Sequence, residues 1–201
     1  MAENQPSQAL KVPQVRVNPR IPFTEEEVSQ ILSQAKDDRE LAFLMVLRYT
    51  GLRIGDASLL KVSQFTGDRI YLYTTKAGTP VSVVIPDSLC SLLKRIAPKG
   101  GYFFVRADST SMHTCSDLWR RRIKIICKGL GISPAHAHRF RHTLAADLLL
   151  NGAGVEDVAA VLGNTPSIVQ KHYSQWIAAR QNKLDDMVKA TWSKPKLKLV
   201  K

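Results

Sequence analysis

The sequence predicts an α+β fold, mainly α-helical with one small antiparallel β-sheet, and three observations predict it. Most of the chain after residue 22 consists of helix-length apolar patterns separated by Gly or Pro. A single stretch, RIYLYTTKAGTPVSVVI (69–85), reads instead as two β-rich runs around a KAGTP turn. From Pro86 onward helical patterns return and no further strand is expected.

Residues 1 to 21 are polar and non-periodic, with Pro6, Pro13 and Pro19, and are read as a flexible tail or linker remnant. The fold is expected over residues 22–192 as one domain, followed by a basic C-terminal tail, 193–201. Thr24 with Glu27 three residues later forms a capping box that opens the first helix, with Val28, Ile31 and Leu32 on its apolar face. The second helix, about Arg39 to Tyr49, is almost wholly apolar in LAFLMVL, which marks a central core helix, and Gly51 ends it. The hairpin of residues 69–85 places Lys76 at its turn. Further helices are expected at about 87–97, 115–129, 138–151, 155–162, 166–172 and 175–191, punctuated by Gly131, Pro134, Gly152, Gly154 and Pro166.

Composition narrows the partner. The 201 residues can bury a sizeable core. Lys and Arg number 29 against 17 Asp and Glu, a net charge of +12. That excess favours a polyanion, either nucleic acid or an anionic membrane surface, and composition does not separate the two. Three cysteines, Cys90, Cys115 and Cys127, lack the spacing of a disulfide framework or a zinc ribbon, so a reduced cytoplasmic setting is expected. No apolar run approaches the ~20 residues of a membrane span, and the N-terminus lacks a secretory signal's apolar core.

The densest chemistry lies in AHAHRFRHTLAADLLLNG (135–152). On a helix His138 shares a face with Arg141, and Arg139 shares one with His142. A helix beginning near His138 adds free backbone N–H groups and a positive dipole end, which together suit a phosphate, because a guanidinium fork binds two oxygens at once. A solvated cationic turn with a partly buried histidine is the competing reading. A metal site on His138 and His142 is disfavoured because no carboxylate or thiolate stands beside them.

HRFRHTLAADLLLNG, followed by VAAVLGNTPSIVQKHY, resembles the second catalytic box of the tyrosine recombinase (phage integrase) family. That box runs His-x-x-Arg-His-Thr, a small apolar helix, Leu-Gly-His, then a tyrosine nine residues on; here His138 and Arg141 fill the first positions, Asn164 stands where histidine or tryptophan is usual, and Tyr173 follows nine residues later. TGLRIGDASLL (50–60) is similar to the family's first box, with Arg53 as its arginine and Asp56 in the acidic position. Lys76 is similar in placement to the family's β-turn lysine.

The resemblance implies the tyrosine recombinase catalytic-domain fold and a site-specific recombinase or integrase acting on double-stranded DNA. Tyr173 would attack a phosphodiester, leaving a 3′-phosphotyrosyl link and a free 5′-hydroxyl. Arg53 and Arg141 would clamp the non-bridging oxygens, Lys76 would protonate the leaving 5′-oxygen, and His138 would assist proton transfer at the tyrosine or bind the phosphate. The protein link conserves the ester, so the mechanism calls for no metal and no cofactor. Arg139 is read as a further phosphate contact, whereas His136 and His142 are read as structural.

Asn164 departs from the pattern, since its amide can donate to a phosphate oxygen, as expected from a position beside Arg141, but cannot carry charge or shuttle a proton. Family members usually place a helical core-binding domain before the catalytic unit, where this chain has 21 residues, so weak, salt-dependent DNA binding is expected. These departures keep open an alternative: a DNA-binding module of the same fold with impaired catalysis. The apolar positions Trp176, Ile177, Leu184, Met187, Val188 and Trp192 follow the tyrosine, and in the family this helix often packs into a neighbouring protomer; packing on its own domain is the alternative.

Overall fold

The computed structural model describes residues 21–105 and 112–192; the expected tails, apart from Ile21, lie outside the described residues. Helix α1 (Glu25–Ser33) opens on the capping box, with Thr24 Oγ1 accepting from Glu27 N–H at 3.1 Å and Glu27 accepting from Thr24 N–H at 3.0 Å. Helix α2 (Asp38–Thr50) follows, capped by Asp37 and closed by Gly51 in the left-handed conformation, φ 60°. Its run from Ala42 to Leu47 is entirely buried, as an all-apolar helix requires. Phe43 stacks on Trp119 with ring centroids 4.0 Å apart and meets Phe104 edge-on.

Two short elements lie between α2 and the hairpin: α3 (Ile54–Ser58) and a 3₁₀ turn (Val62–Gln64). The sheet has three strands in the order β1 (Phe65–Thr66), β2 (Arg69–Tyr73), β3 (Pro80–Val84), all antiparallel. Alternation decides its faces, with Ile70 opposite Val83 and Leu72 opposite Val81 turned into the core and Tyr71 and Tyr73 turned out. The sheet thus exceeds the expected hairpin by one two-residue strand.

Helices α4 (Asp87–Ile96), α5 (Met112–Gly129), α6 (His138–Leu150), α7 (Val155–Leu162) and α8 (Pro166–Trp192) complete the described chain. The two helices expected at 166–172 and 175–191 form one run broken at Tyr173, whose φ −124° and ψ 19° are not helical. The apolar side chains form two clusters. The larger gathers α1 to α5, the sheet and Phe140 of α6, whereas Ala145, Leu149, Val158, Ala159, Leu162, Val169 and Tyr173 form a smaller one among α6, α7 and α8.

Candidate active site

Each expected site residue sits where a regular element starts, ends or turns. Arg53 is the N-cap of α3, two residues beyond Gly51. A Cβ on Gly51 would approach Leu162 Cδ2 to 2.8 Å, so glycine lets the end of α2 close on α7. His138, Arg141 and His142 occupy the first turns of α6 at i, i+3 and i+4, hence on one face. Gly163 ends α7 at φ 58°, and a Cβ there would lie 2.7 Å from Val81 Cγ2, so the bare backbone lets Asn164 emerge against the hairpin. Lys76 is exposed in the hairpin turn, which Thr75 N–H fastens to Asp56 Oδ1 at 2.9 Å. Asp56 is buried, so its carboxylate joins α3 to the lysine-bearing turn.

These elements enclose a cavity of about 260 Å³ lined by Arg53, Lys76, His138, Arg141, Asn164 and Tyr173, together with His142, His172 and Ile168. All six expected catalytic positions therefore face one space. Arg53 donates through Nη2 to Asn164 Oδ1 at 2.9 Å, while its Nη1 is buried without a hydrogen-bond partner among the described residues. Arg141, 2% exposed, donates to the carbonyls of Gly51 (2.9 Å) and Leu162 (2.6 Å), which fixes its fork relative to both glycine turns. Burial, and then repulsion from Arg53, hold Arg141 down to about 10, against the opposing pull of Tyr173 and Asp56. Two guanidinium groups that repel each other across a cavity whose described lining holds no carboxylate favour an incoming oxyanion.

Tyr173 is 2% exposed, and its hydroxyl lies 2.8 Å from His142 Nδ1. The break in α8 turns its ring inward, toward Trp176 at 5.8 Å between centroids. The His138 ring meets His142 edge-on at 4.6 Å and stays exposed at the rim.

One expectation is corrected. Arg139 is not placed to meet phosphate: 2% exposed, it donates to the carbonyls of Ile21, Pro22 and Pro134 and to Glu27, and lies over the Phe23 ring at 4.0 Å. One residue after His138 it stands off the shared face, so it ties the start of the fold to α6 instead. Asn164 lines the cavity with Arg141, and its carbonyl oxygen accepts from Arg53, a contact that the sequence did not indicate. His142 and His172 belong to the cavity although sequence reasoning gave neither a role there. For His142 the signal was available, because it lies four residues after His138 and one after Arg141.

Another cavity, of about 200 Å³, lies between α2 and α5. There Glu40 is paired to Arg122, and Arg39 donates to the Phe103 and Val105 carbonyls.

The mainly helical architecture with its small antiparallel sheet is the fold of tyrosine recombinase catalytic domains. It matches the crystal structure of XerA recombinase with a TM-score of 0.65 at 21% identity, over 94% of this chain and 68% of that one. It also matches XerH site-specific recombinase bound to palindromic difH substrate in a post-cleavage complex, with a TM-score of 0.64 at 16% identity, over 85% of this chain and 53% of that one. The chain belongs to the Phage integrase family, whose profile matches residues 22–178. The integrase of Escherichia phage P2 is 27% identical over 155 residues, covering 76% of this chain and 43% of that protein. The chain spans about half the length of the curated relatives it matches. Among the described residues no helix is long and apolar enough to cross a membrane.

Proposed function

We propose that this chain is the catalytic unit of a site-specific DNA recombinase or integrase that cleaves and rejoins double-stranded DNA through a 3′-phosphotyrosyl link on Tyr173. The observation that carries this reading is the convergence of Arg53, Lys76, His138, Arg141, Asn164 and Tyr173 on one cavity from five separate parts of the chain. Asn164 orients Arg53, and each of the other five has a use in the reaction. Arg53 and Arg141 hold the non-bridging oxygens and stabilise the charge of the pentavalent transition state. As the Tyr173 oxygen bonds to phosphorus, the 5′-oxygen leaves and takes a proton from Lys76. His138, at the rim, hydrogen-bonds the phosphate. The ester is kept in the protein link, so rejoining follows the same steps in reverse and needs no nucleotide or metal.

The net charge of +12 suits a DNA partner, and a relative in fold, XerH, is known bound to its difH substrate. Self-association on DNA would use the end of α8. Arg180 and Lys183 hold that helix to the Gly152 and Leu150 carbonyls, whereas Met187 and Val188 beyond them are exposed; the side chain of Trp192 lies outside the described set. The three cysteines are free, buried thiols, compatible with a reducing cytoplasm.

The test is a randomised pool of duplexes, each nicked so that the short 5′-hydroxyl fragment diffuses away after cleavage and traps the covalent product. A DNA–protein band on a denaturing gel is expected. DNA binding without any such band would favour the alternative, a binding module with lost catalysis.

A further inference from the structure

We infer that His142 is the proton acceptor for Tyr173, with the hydroxyl donating to Nδ1 in the resting site and the proton crossing that bond as the phosphodiester is attacked. The inference rests on Tyr173 being the nucleophile and gives to His142 the proton transfer that the resemblance left open as one of two roles for His138. A phenol is a weak nucleophile at neutral pH, so its oxygen must shed a proton as it bonds to phosphorus. The group positioned to receive it is His142: Nδ1 lies 2.8 Å from the hydroxyl, and both residues are 2% exposed, which keeps bulk water from competing. His138 is exposed at the rim, where its ring meets that of His142 edge-on. The two histidines of the motif thereby divide the work, His138 on the phosphate and His142 on the nucleophile.

The step balances. The tyrosine oxygen–phosphorus bond forms and the phenol proton moves to Nδ1, giving an imidazolium. The phosphorus–5′-oxygen bond breaks and that oxygen takes a proton from Lys76. In rejoining, the imidazolium returns its proton to the phenol. The charged and titratable groups that line the cavity with His142 are Arg53, Lys76, His138, Arg141, His172 and Tyr173, with no carboxylate in the described lining, and Asp56 acts on Arg141 from beyond it. A neutral imidazole is the form that can accept, so cleavage should fall as pH drops through the imidazole range.

The experiment is single-turnover cleavage across pH of the best-cleaved duplex from the nicked pool, by wild type, His142→Asn and His138→Asn. Asparagine in place of His142 can still accept a hydrogen bond near the Nδ1 position but cannot take up the proton. It should cleave ~10²-fold more slowly at neutral pH. It should also lose the acidic limb of the profile, and its deficit should narrow as pH rises toward the phenol's reference pKa of ~10, where an ionised tyrosine needs no acceptor. A structural role alone would not produce that alkaline rescue. Wild-type rates from His142→Asn at every pH, or an acidic limb removed by His138→Asn and kept by His142→Asn, overturns the inference while leaving Tyr173 as nucleophile. No adduct from wild type instead counts against the cleavage reading and takes this role with it. Independently of activity, Tyr173→Phe in protein labelled with ¹⁵N-histidine should shift the Nδ1 resonance of His142, and an unmoved resonance would refute the pairing.

Discussion

Arg53 and Asn164 are joined by a hydrogen bond of 2.9 Å in which the arginine donates and the amide oxygen accepts. The asparagine thus orients one arm of the guanidinium and leaves the other, Nη1, buried and free to meet an oxyanion. An unmet buried donor costs ~1–3 kcal/mol, which a phosphate oxygen would offset. Asn164→Leu removes the acceptor and should slow single-turnover cleavage by about tenfold or more, matching the ~1.4 kcal/mol of one lost hydrogen bond. Asn164→His should cleave well only while its imidazole is neutral, because an imidazolium cannot accept from Arg53 and repels it. Activity of that variant relative to wild type should therefore fall as pH drops below ~6.5, the opposite of a phosphate-donating histidine.

Replacing either arginine by lysine keeps the charge and loses the fork. Arg53→Lys and Arg141→Lys should each lower the cleavage rate by at least ~10²-fold, as for loss of one transition-state donor, with DNA affinity changing far less. Rates equal to wild type from both variants would remove these residues from the site.

The arginine pair should also make the fold sensitive to anions. Holding Arg141 down to about 10, well below the ordinary guanidinium range, places a cost of about 3 kcal/mol on the native state at neutral pH. The sign is that of a base with a depressed pKa: the cost is full below about 10, where the group is charged in both states, and is relieved only as pH rises beyond that value. Sulfate bridging the pair would recover part of it, ~1.4 kcal/mol at tenfold its Kd. Thermal unfolding in sulfate against chloride at matched ionic strength should show a larger rise for wild type than for Arg53→Met, constant between pH 6 and 8.

Arg139 makes a contrasting case. Arg139→Met strips Glu27 and three backbone carbonyls of their donor and should destabilise the fold by ~3–5 kcal/mol, read from denaturant unfolding. The salt dependence of DNA binding should keep its slope, because no phosphate contact is lost. A slope reduced by about one unit would restore the reading of Arg139 as a DNA contact.

Much of this was legible before the fold was known, for identifiable reasons. The capping box at Thr24, the apolar run of α2 and the glycine end of α2 are local signals, and each appears where it was read. The break at Tyr173 was foreshadowed by the gap between the two helices expected there. Strand β1 and helix α3, with two and five residues, are too short to show periodicity and owe their form to the sheet and to α5. The fate of Arg139 depends on Glu27 and on the carbonyls of Ile21 and Pro22, more than a hundred residues away, which no window around residue 139 contains. The direction of the Asn164 bond was hidden for the same reason: an amide both donates and accepts, and only its neighbour decides which.

The central claim is that the Tyr173 oxygen becomes covalently joined to DNA. The direct measurement is to isolate the adduct from the nicked-duplex pool, digest it with nuclease and protease, and locate the residual nucleotide by mass spectrometry. The account predicts a 3′-phosphonucleotide on the peptide containing Tyr173, with no adduct from Tyr173→Phe, a variant that keeps the buried ring and loses only the hydroxyl. A nucleotide mapped to any other side chain, or full adduct yield from Tyr173→Phe, would contradict it.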